Sequence, residues 1–283
     1  MFLVIKGNHS FRNKKLLGIF ISLGILIIFS YGIWCYNYDS RYVTWDDDTV
    51  GWIINQEMVY TYHIYSKMRI DELPDIRELN LDAELISSIK VLRYFKNLER
   101  LVINAKNIKS LKTLQSLEKL DELVIIYGDM NTLKYLKKLN VSNLVLENFN
   151  LPSVDPLLEM PNLSKLEIKH SYINDTQALS KLEDLIYLSL IDVQADSSIT
   201  LCKNGNYEDL YLSNIDMDNF DFLSTCKSLT SLKMEKINIE NGMDIKFPTG
   251  LTEVMFKGCE LKNLKRFLML PNLVSLDVSD NEI

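Results

Sequence analysis

The residues able to do chemistry in this chain are few. Its 283 residues include three histidines and four cysteines. His170 is followed 22 residues later by Asp192, and a carboxylate orienting an imidazole is the heart of a general-base dyad. Such a dyad also needs a nucleophile or activated water, a site for developing charge and shelter from solvent. The sequence has no G-x-S-x-G elbow, no glycine-rich phosphate loop, no zinc-type spacing and no paired-carboxylate motif. His9 and His63 lie far from the pair. Cys35, Cys202, Cys226 and Cys259 form no disulfide framework. Cys226 and Cys259 fall in columns of small or apolar residues and read as buried free thiols. The expectation is a non-enzyme without cofactor or metal, whose chemistry is non-covalent recognition.

The spacing of His170 and Asp192 belongs to a larger order. An apolar pair L-x-L begins at Leu79, Leu101, Leu123, Leu144, Leu166, Leu188, Leu210, Leu232, Val254 and Leu276. Every step is 22 residues except Leu123 to Leu144, which is 21. Alternation at period two puts both members of a pair on one face of a short strand. A further apolar column stands three residues before each pair, from Ile76 and Leu98 to Leu273, and another seven after it, from Ile86 and Ile108 to Ile283. Between strands, apolar residues recur every third position, as in Leu111, Leu114, Leu117 and Leu120, which suits a 3₁₀ or short α turn. No unit of this length buries its own apolar face, so the units must stack into a solenoid. Ser198, Asn204 and Gly205 in the sixth unit, and Gly242 and Pro248 in the eighth, interrupt the pattern behind the strand.

These residues resemble a leucine-rich repeat protein of the short, 22-residue class, similar to bacterial internalin-like surface proteins. The last unit, LVSLDVSDNEI from Leu273 to Ile283, fits L-x-x-L-x-L-x-x-N-x-I throughout. The resemblance covers residues 76–283. It implies an α/β solenoid of ten repeats, with a curved parallel sheet on the concave side and short helices or 3₁₀ turns on the convex side. It also implies a bacterial source and a binding role. One column departs from the family. Asparagine is usual five residues after the first leucine, but here the series is Glu84, Lys106, Gly128, Phe149, Ser171, Val193, Ile215, Ile237, Cys259 and Asn281. The turn backbone must be satisfied otherwise, and looser, more variable turns are expected.

Positions flanking the buried pairs face the concave side, on strands about 4.8 Å apart. The residues inside successive pairs include Val102, Val124 and Val145, with Ile126 and Tyr127 beside them; Tyr187, Ile191 and Tyr211 make a second group. Contiguous exposed apolar surface marks a partner site, although β-branched residues also favour strands for their own sake. These eight residues are the expected contact surface for a protein or peptide ligand.

Residues 16–36 are apolar and uncharged, long enough for a helix of roughly 30 Å, the thickness of a bilayer core. Lys6, Arg12, Lys14 and Lys15 precede the run, and Asp46, Asp47 and Asp48 follow it. The positive-inside rule then puts residues 1–15 in the cytosol as a basic tail and the repeats outside. Cleavage near Ser30-Tyr31-Gly32, giving a secreted protein, is the alternative. Residues 37–75, with Trp52, Tyr60 and Tyr62, read as a juxtamembrane segment and amino-terminal cap. The whole chain has 31 basic and 38 acidic residues, and its basic tail leaves the rest more acidic still. That balance argues against nucleic acid and against docking on anionic lipid. The expected protein is a single-pass, non-catalytic binder at the cell surface; the alternative is a structural accessory subunit of a membrane or envelope complex. The edge of the last strand offers a place for weak self-association.

Overall fold

The computed structural model describes residues 43, 47, 48, 50, 51, 54, 70, 76–196, 198–201, 205–217, 219–239 and 245–283. Residues 1–15 and the apolar run 16–36 lie outside the described residues, as do most of 37–75 and Cys35, Cys202, His9 and His63. Among the described residues no helix is long and apolar enough to cross a membrane.

Each L-x-L pair lies in a parallel strand, save that Val278 of the tenth falls just past its strand. The strands are β1 (Glu78–Leu81), β2 (Arg100–Asn104), β3 (Glu122–Gly128), β4 (Asn143–Ser153), β5 (Lys165–Asp175), β6 (Tyr187–Ala195), β7 (Asp209–Ser213), β8 (Ser231–Glu235), β9 (Glu253–Lys257) and β10 (Ser275–Asp277). They form one sheet in sequence order, with the first members of the pairs facing one another from Leu79 and Leu101 to Val254 and Leu276. A 22-residue return between in-register parallel neighbours leaves room for the crossover that parallel pairing requires. Behind the sheet run 3₁₀ turns such as Lys90–Tyr94, Lys112–Ser116, Asp155–Glu159 and Asp221–Thr225. The shortened third unit has instead a four-residue α-helix, α1 (Met130–Leu133). Leucines from the strands and turns fill one continuous core. Cys226 and Cys259 carry thiols buried in it, and burial pushes the Cys259 thiol up.

The altered column is built differently from the expectation. From the third unit onward, the residue four after the first leucine adopts a left-handed bend. Tyr127, Asn148, His170, Asp192, Asn214, Lys236, Gly258 and Asp280 have φ between 47° and 60°. The turns are therefore uniform, not loose. The next residue points inward, and Phe149, Val193, Ile215, Ile237 and Cys259 extend the apolar core where a polar ladder was lost. The backbone finds partners in the neighbouring unit: Asn214 N–H donates to Glu235 O at 2.9 Å, Lys236 N–H to Lys257 O at 2.9 Å and Gly258 N–H to Ser279 O at 3.1 Å. In the fourth to sixth units the chain pairs again past the bend, as in Asn150 with Tyr172 and Tyr172 with Gln194, which lengthens β4 and β5 to 11 residues. The two polar exceptions are also satisfied. Ser171 Oγ accepts from Phe149 N at 3.1 Å, and Asn281 Oδ1 accepts from Cys259 N at 2.8 Å and Leu261 N at 3.0 Å. Non-glycine residues in this region cost roughly 1–2 kcal/mol each, least for Asn and Asp.

The amino-terminal segment meets the first unit through both core and hydrogen bonds. Val43, Val50 and Ile54 belong to the buried core. Asp47 Oδ1 accepts from Val50 N at 3.2 Å, beginning a helical stretch, while Oδ2 accepts from Ser87 N and Oγ, both at 2.7 Å, and from Ser88 N at 3.2 Å. At the other edge, Leu276 and Val274 on or beside β10 are exposed.

Candidate functional site

The concave face is laid out by strand register. Val102 pairs with Val124 and Val124 with Val145; the same row continues through Glu167 and Ser189 to Tyr211. The row beside it carries Ile126, Glu147, Lys169 and Ile191. Side chains on these rows stand perpendicular to the sheet about 4.8 Å apart, and so touch along the solenoid axis.

One expected contact residue is not on the surface. Val102 is only 7% exposed, although its register keeps it on the concave face beside Val124 and outside the continuous core. Val124, Ile126 and Val145 are half-buried and keep an accessible edge. Tyr127 is 38% exposed but stands at the bend, not on the flat of the strand, with Lys106 Nζ 5.6 Å from its ring centre. The first group is thus a small apolar step rather than a broad plate.

The second group is organised by carboxylates. Tyr187, Ile191 and Tyr211 are half-buried. Tyr187 Oη donates to Glu167 Oε2 at 3.4 Å and Tyr211 Oη to Glu235 Oε2 at 3.0 Å. Burial, together with Glu167, holds the Tyr187 phenol above its ordinary value against the opposing effect of Ser189. Burial and then Glu235 do the same for Tyr211. Ser189 sits between Tyr187 on its own strand and Tyr211 on the next and is fully buried. Between the two apolar groups stand Glu167 and Lys169, joined as an ion pair. The face therefore reads, along its axis, as an apolar step, a charged pair and a tyrosine cluster.

His170 and Asp192 do meet. Nδ1 lies 3.1 Å from Asp192 Oδ2, and Asn214 Nδ2 donates to Asp192 Oδ1 at 2.6 Å. The three occupy successive bends and are open to solvent. Their third member is an amide, which supplies no nucleophile, and the hydroxyl next to His170, on Ser171, is engaged by Lys169 O and Phe149 N. The arrangement does the work of a polar ladder along the bends. No group of three His, Cys, Asp or Glu positioned to hold a metal occurs among the described residues.

The bends also shape a feature that sequence spacing does not reveal. An open groove of 740 Å³ runs past the carboxyl ends of the early strands, lined by Lys106, Tyr127, Asn131, Tyr135, Asn148 and His170 among others. Its floor is fixed by α1. Asp129 accepts from Thr132 N at 2.9 Å while Thr132 Oγ1 accepts from Asp129 N at 3.3 Å, a reciprocal cap. Partial burial raises the Asp129 carboxyl, but the Thr132 and Asn131 donors outweigh it and hold the group below its ordinary value. The D-x-x-T spacing from Asp129 to Thr132 was a usable signal for the cap; the groove depends on the left-handed bends, whose signal was the run of Asn, His, Asp and Gly at that position.

No family model and no curated protein matches the chain. Solved structures do. An internalin C2 of Listeria monocytogenes is 18% identical, with 82% of this chain and 93% of that one aligned at a TM-score of 0.58. An internalin (inlF) of the same organism is also 18% identical, covering 83% of this chain and 82% of that one at a TM-score of 0.54. The fold is the leucine-rich repeat solenoid. At this identity the likeness concerns fold alone. It places the ten-stranded sheet of the leucine-rich repeat chain on a known scaffold and leaves function to the site.

Proposed function

We propose that this leucine-rich repeat protein binds a protein or peptide segment, without catalysis, on the concave face between β3 and β7. The observation that carries the reading is the pairing of two apolar groups, Val124, Ile126 and Val145 with Tyr187, Ile191 and Tyr211, across the charged Glu167–Lys169 step. Aromatic rings tied at one end to a carboxylate present a rigid apolar body to a ligand at low entropic cost. An extended segment laid across the strands would meet an apolar, a charged and an aromatic patch in turn. We further propose that residues 16–36 anchor the chain in a membrane with the repeats outside, supported by the charge-free run and by the basic residues that precede it.

The test uses the full chain in its native membranes, with a photo-crosslinking residue placed at Val145 or Tyr211 and, as control, at Gln115 on the back. The expected result is one shared partner captured from both concave positions and not from Gln115. Introducing Val124→Lys with Ile126→Lys should abolish capture from Tyr211 while circular dichroism and urea unfolding stay unchanged. Capture that is equal from Gln115, or indifferent to the lysines, overturns the reading.

A further inference from the structure

The net charge of the chain is −7, yet its sign is not evenly spread. On the back of the first unit lie Lys90, Arg93 and Lys96, and on the second Lys109, Lys112 and Lys119, with Glu118 as the single acid between Ser87 and Asn97 or between Lys109 and Lys119. The third unit adds Lys134, Lys137 and Lys138, of which Lys137 pairs with Glu159 at 2.6 Å. Corresponding segments of the fourth, fifth and seventh units are acidic instead, with Asp155, Glu159, Glu183, Asp184 and Asp221 exposed there. A groove of 560 Å³ runs between the first two backs. Lys90, Arg93, Lys109 and Lys112 line it with five hydroxyl residues, and among the described residues no carboxylate lines it.

The amino-terminal segment joins the solenoid at this same place. Asp47 hydrogen-bonds Ser87 and Ser88, and both serines line the basic groove. Val43, four residues earlier, is already buried in the core. From Tyr36, the last residue of the apolar run, to Val43 the chain reaches at most about 25 Å even fully extended. A chain anchored by residues 16–36 therefore holds the basic backs close to its own bilayer. Charges are screened over about 8 Å in physiological salt, so the acids of distant units do not cancel this local field.

We infer that the backs of the first three units, centred on the Lys90–Lys112 groove, dock on the anionic headgroups of the membrane in which the chain is anchored. The inference rests on the anchored reading given above. It assigns the convex side an orienting role: lysine stems reach the phosphate layer while the concave face turns away from it. Each base near an anionic surface favours the docked state by about fivefold, so a patch of this size fixes an orientation that the tether alone leaves open. The overall acidity that spoke against lipid docking is a sum over the chain, whereas a surface responds to the nearest charges.

The experiment places the full chain in nanodiscs of phosphatidylcholine alone or with added phosphatidylglycerol, and follows amine modification of each lysine by mass spectrometry. In the anionic discs, modification of Lys90, Lys109, Lys112 and Lys134 should slow by about fivefold or more, while Lys227 and Lys246 on later backs keep their rates. Raising the salt should reverse the slowing. Lys109→Glu with Lys112→Glu, both at exposed positions, should restore most of the rate at Lys90 and Lys134. Equal rates in the two kinds of disc, or slowing that survives the double substitution, overturns the docking alone. A chain that enters neither disc overturns the anchor and the docking together.

Discussion

Gly128 and Phe149 make the sharpest test of how the altered column is packed. They stand at paired positions of β3 and β4, where a polar ladder would otherwise run. A Cβ added at Gly128 would lie 2.5 Å from Phe149 Cε1 and 2.6 Å from Cζ, with Thr132 Cγ2 at 3.1 Å. Carbon atoms in contact want about 3.5–4.0 Å, so the ring must retreat by roughly 1 Å. Phe149 is buried and has little room. Overpacking of this kind costs about 1–3 kcal/mol. The backbone of Gly128 is not left-handed, so alanine also recovers about 0.4–1 kcal/mol through the unfolded chain. Gly128→Ala should therefore destabilise the solenoid by about 1–2 kcal/mol, a fall of roughly 2–8 °C in Tm for a domain of this size. Urea unfolding of the single variants Gly128→Ala and Phe149→Leu and of the double variant closes a cycle. Leucine costs about 1–3 kcal/mol alone but makes space for the new methyl, so the double variant should be at least about 1 kcal/mol more stable than the sum. Strict additivity, or a Gly128→Ala protein as stable as the parent, would refute the packing argument.

Asp47→Ala leaves the Ser87 and Ser88 amides without their carboxylate, and should cost about 2–3 kcal/mol; hydrogen exchange should rise at Ser87–Lys90 well before it rises at β5. Ser171→Ala removes the acceptor of the buried Phe149 N–H and should cost about 1–2 kcal/mol in chemical unfolding. The Asp129 carboxyl is held below its unfolded value, so its cap on α1 is at full strength above about pH 4 and is lost as pH falls through the folded value. Asp129→Asn should flatten that acid-side loss in thermal melts, and an unchanged acid limb would count against the cap. His170→Ala breaks the contact with Asp192 between exposed bends, and should move the melting temperature by less than about 1–2 °C, because exposed pairs contribute little.

The strand register was legible residue by residue. The L-x-L columns mark which residues face one another, because a one-residue slip would turn every leucine to solvent. The convex 3₁₀ turns followed from the spacing of Leu111, Leu114 and Leu117 for the same reason. The bends were legible only in part: Asn148, His170, Asp192, Asn214, Gly258 and Asp280 are of the types that take left-handed φ most readily, whereas at Tyr127 and Lys236 the neighbouring units impose it. The burial of Val102 escaped because spacing says which face a residue takes but not how closely other residues cover it. Of the candidate site, the tyrosine cluster was visible as residue types, while its carboxylate partners Glu167 and Glu235 each lie one strand away from their tyrosine and appear only when the sheet is assembled. The basic back was hidden by summing charge along the chain before the solenoid had sorted it onto faces.

The uniform bends have a consequence for editing the chain. In the seventh and eighth units the joint with the next unit is main chain to main chain, from Asn214 to Glu235 and Lys236 to Lys257, and does not depend on the side chain at the bend. Such joints are interchangeable splice points. Excising one whole 22-residue cassette there should let the flanking units close on each other and give a shorter solenoid of the same pitch. The junction of the third and fourth units admits no such cut. Its helix, its missing residue and the Gly128–Phe149 fit make it a keyed joint, a place where the order of the cassettes matters.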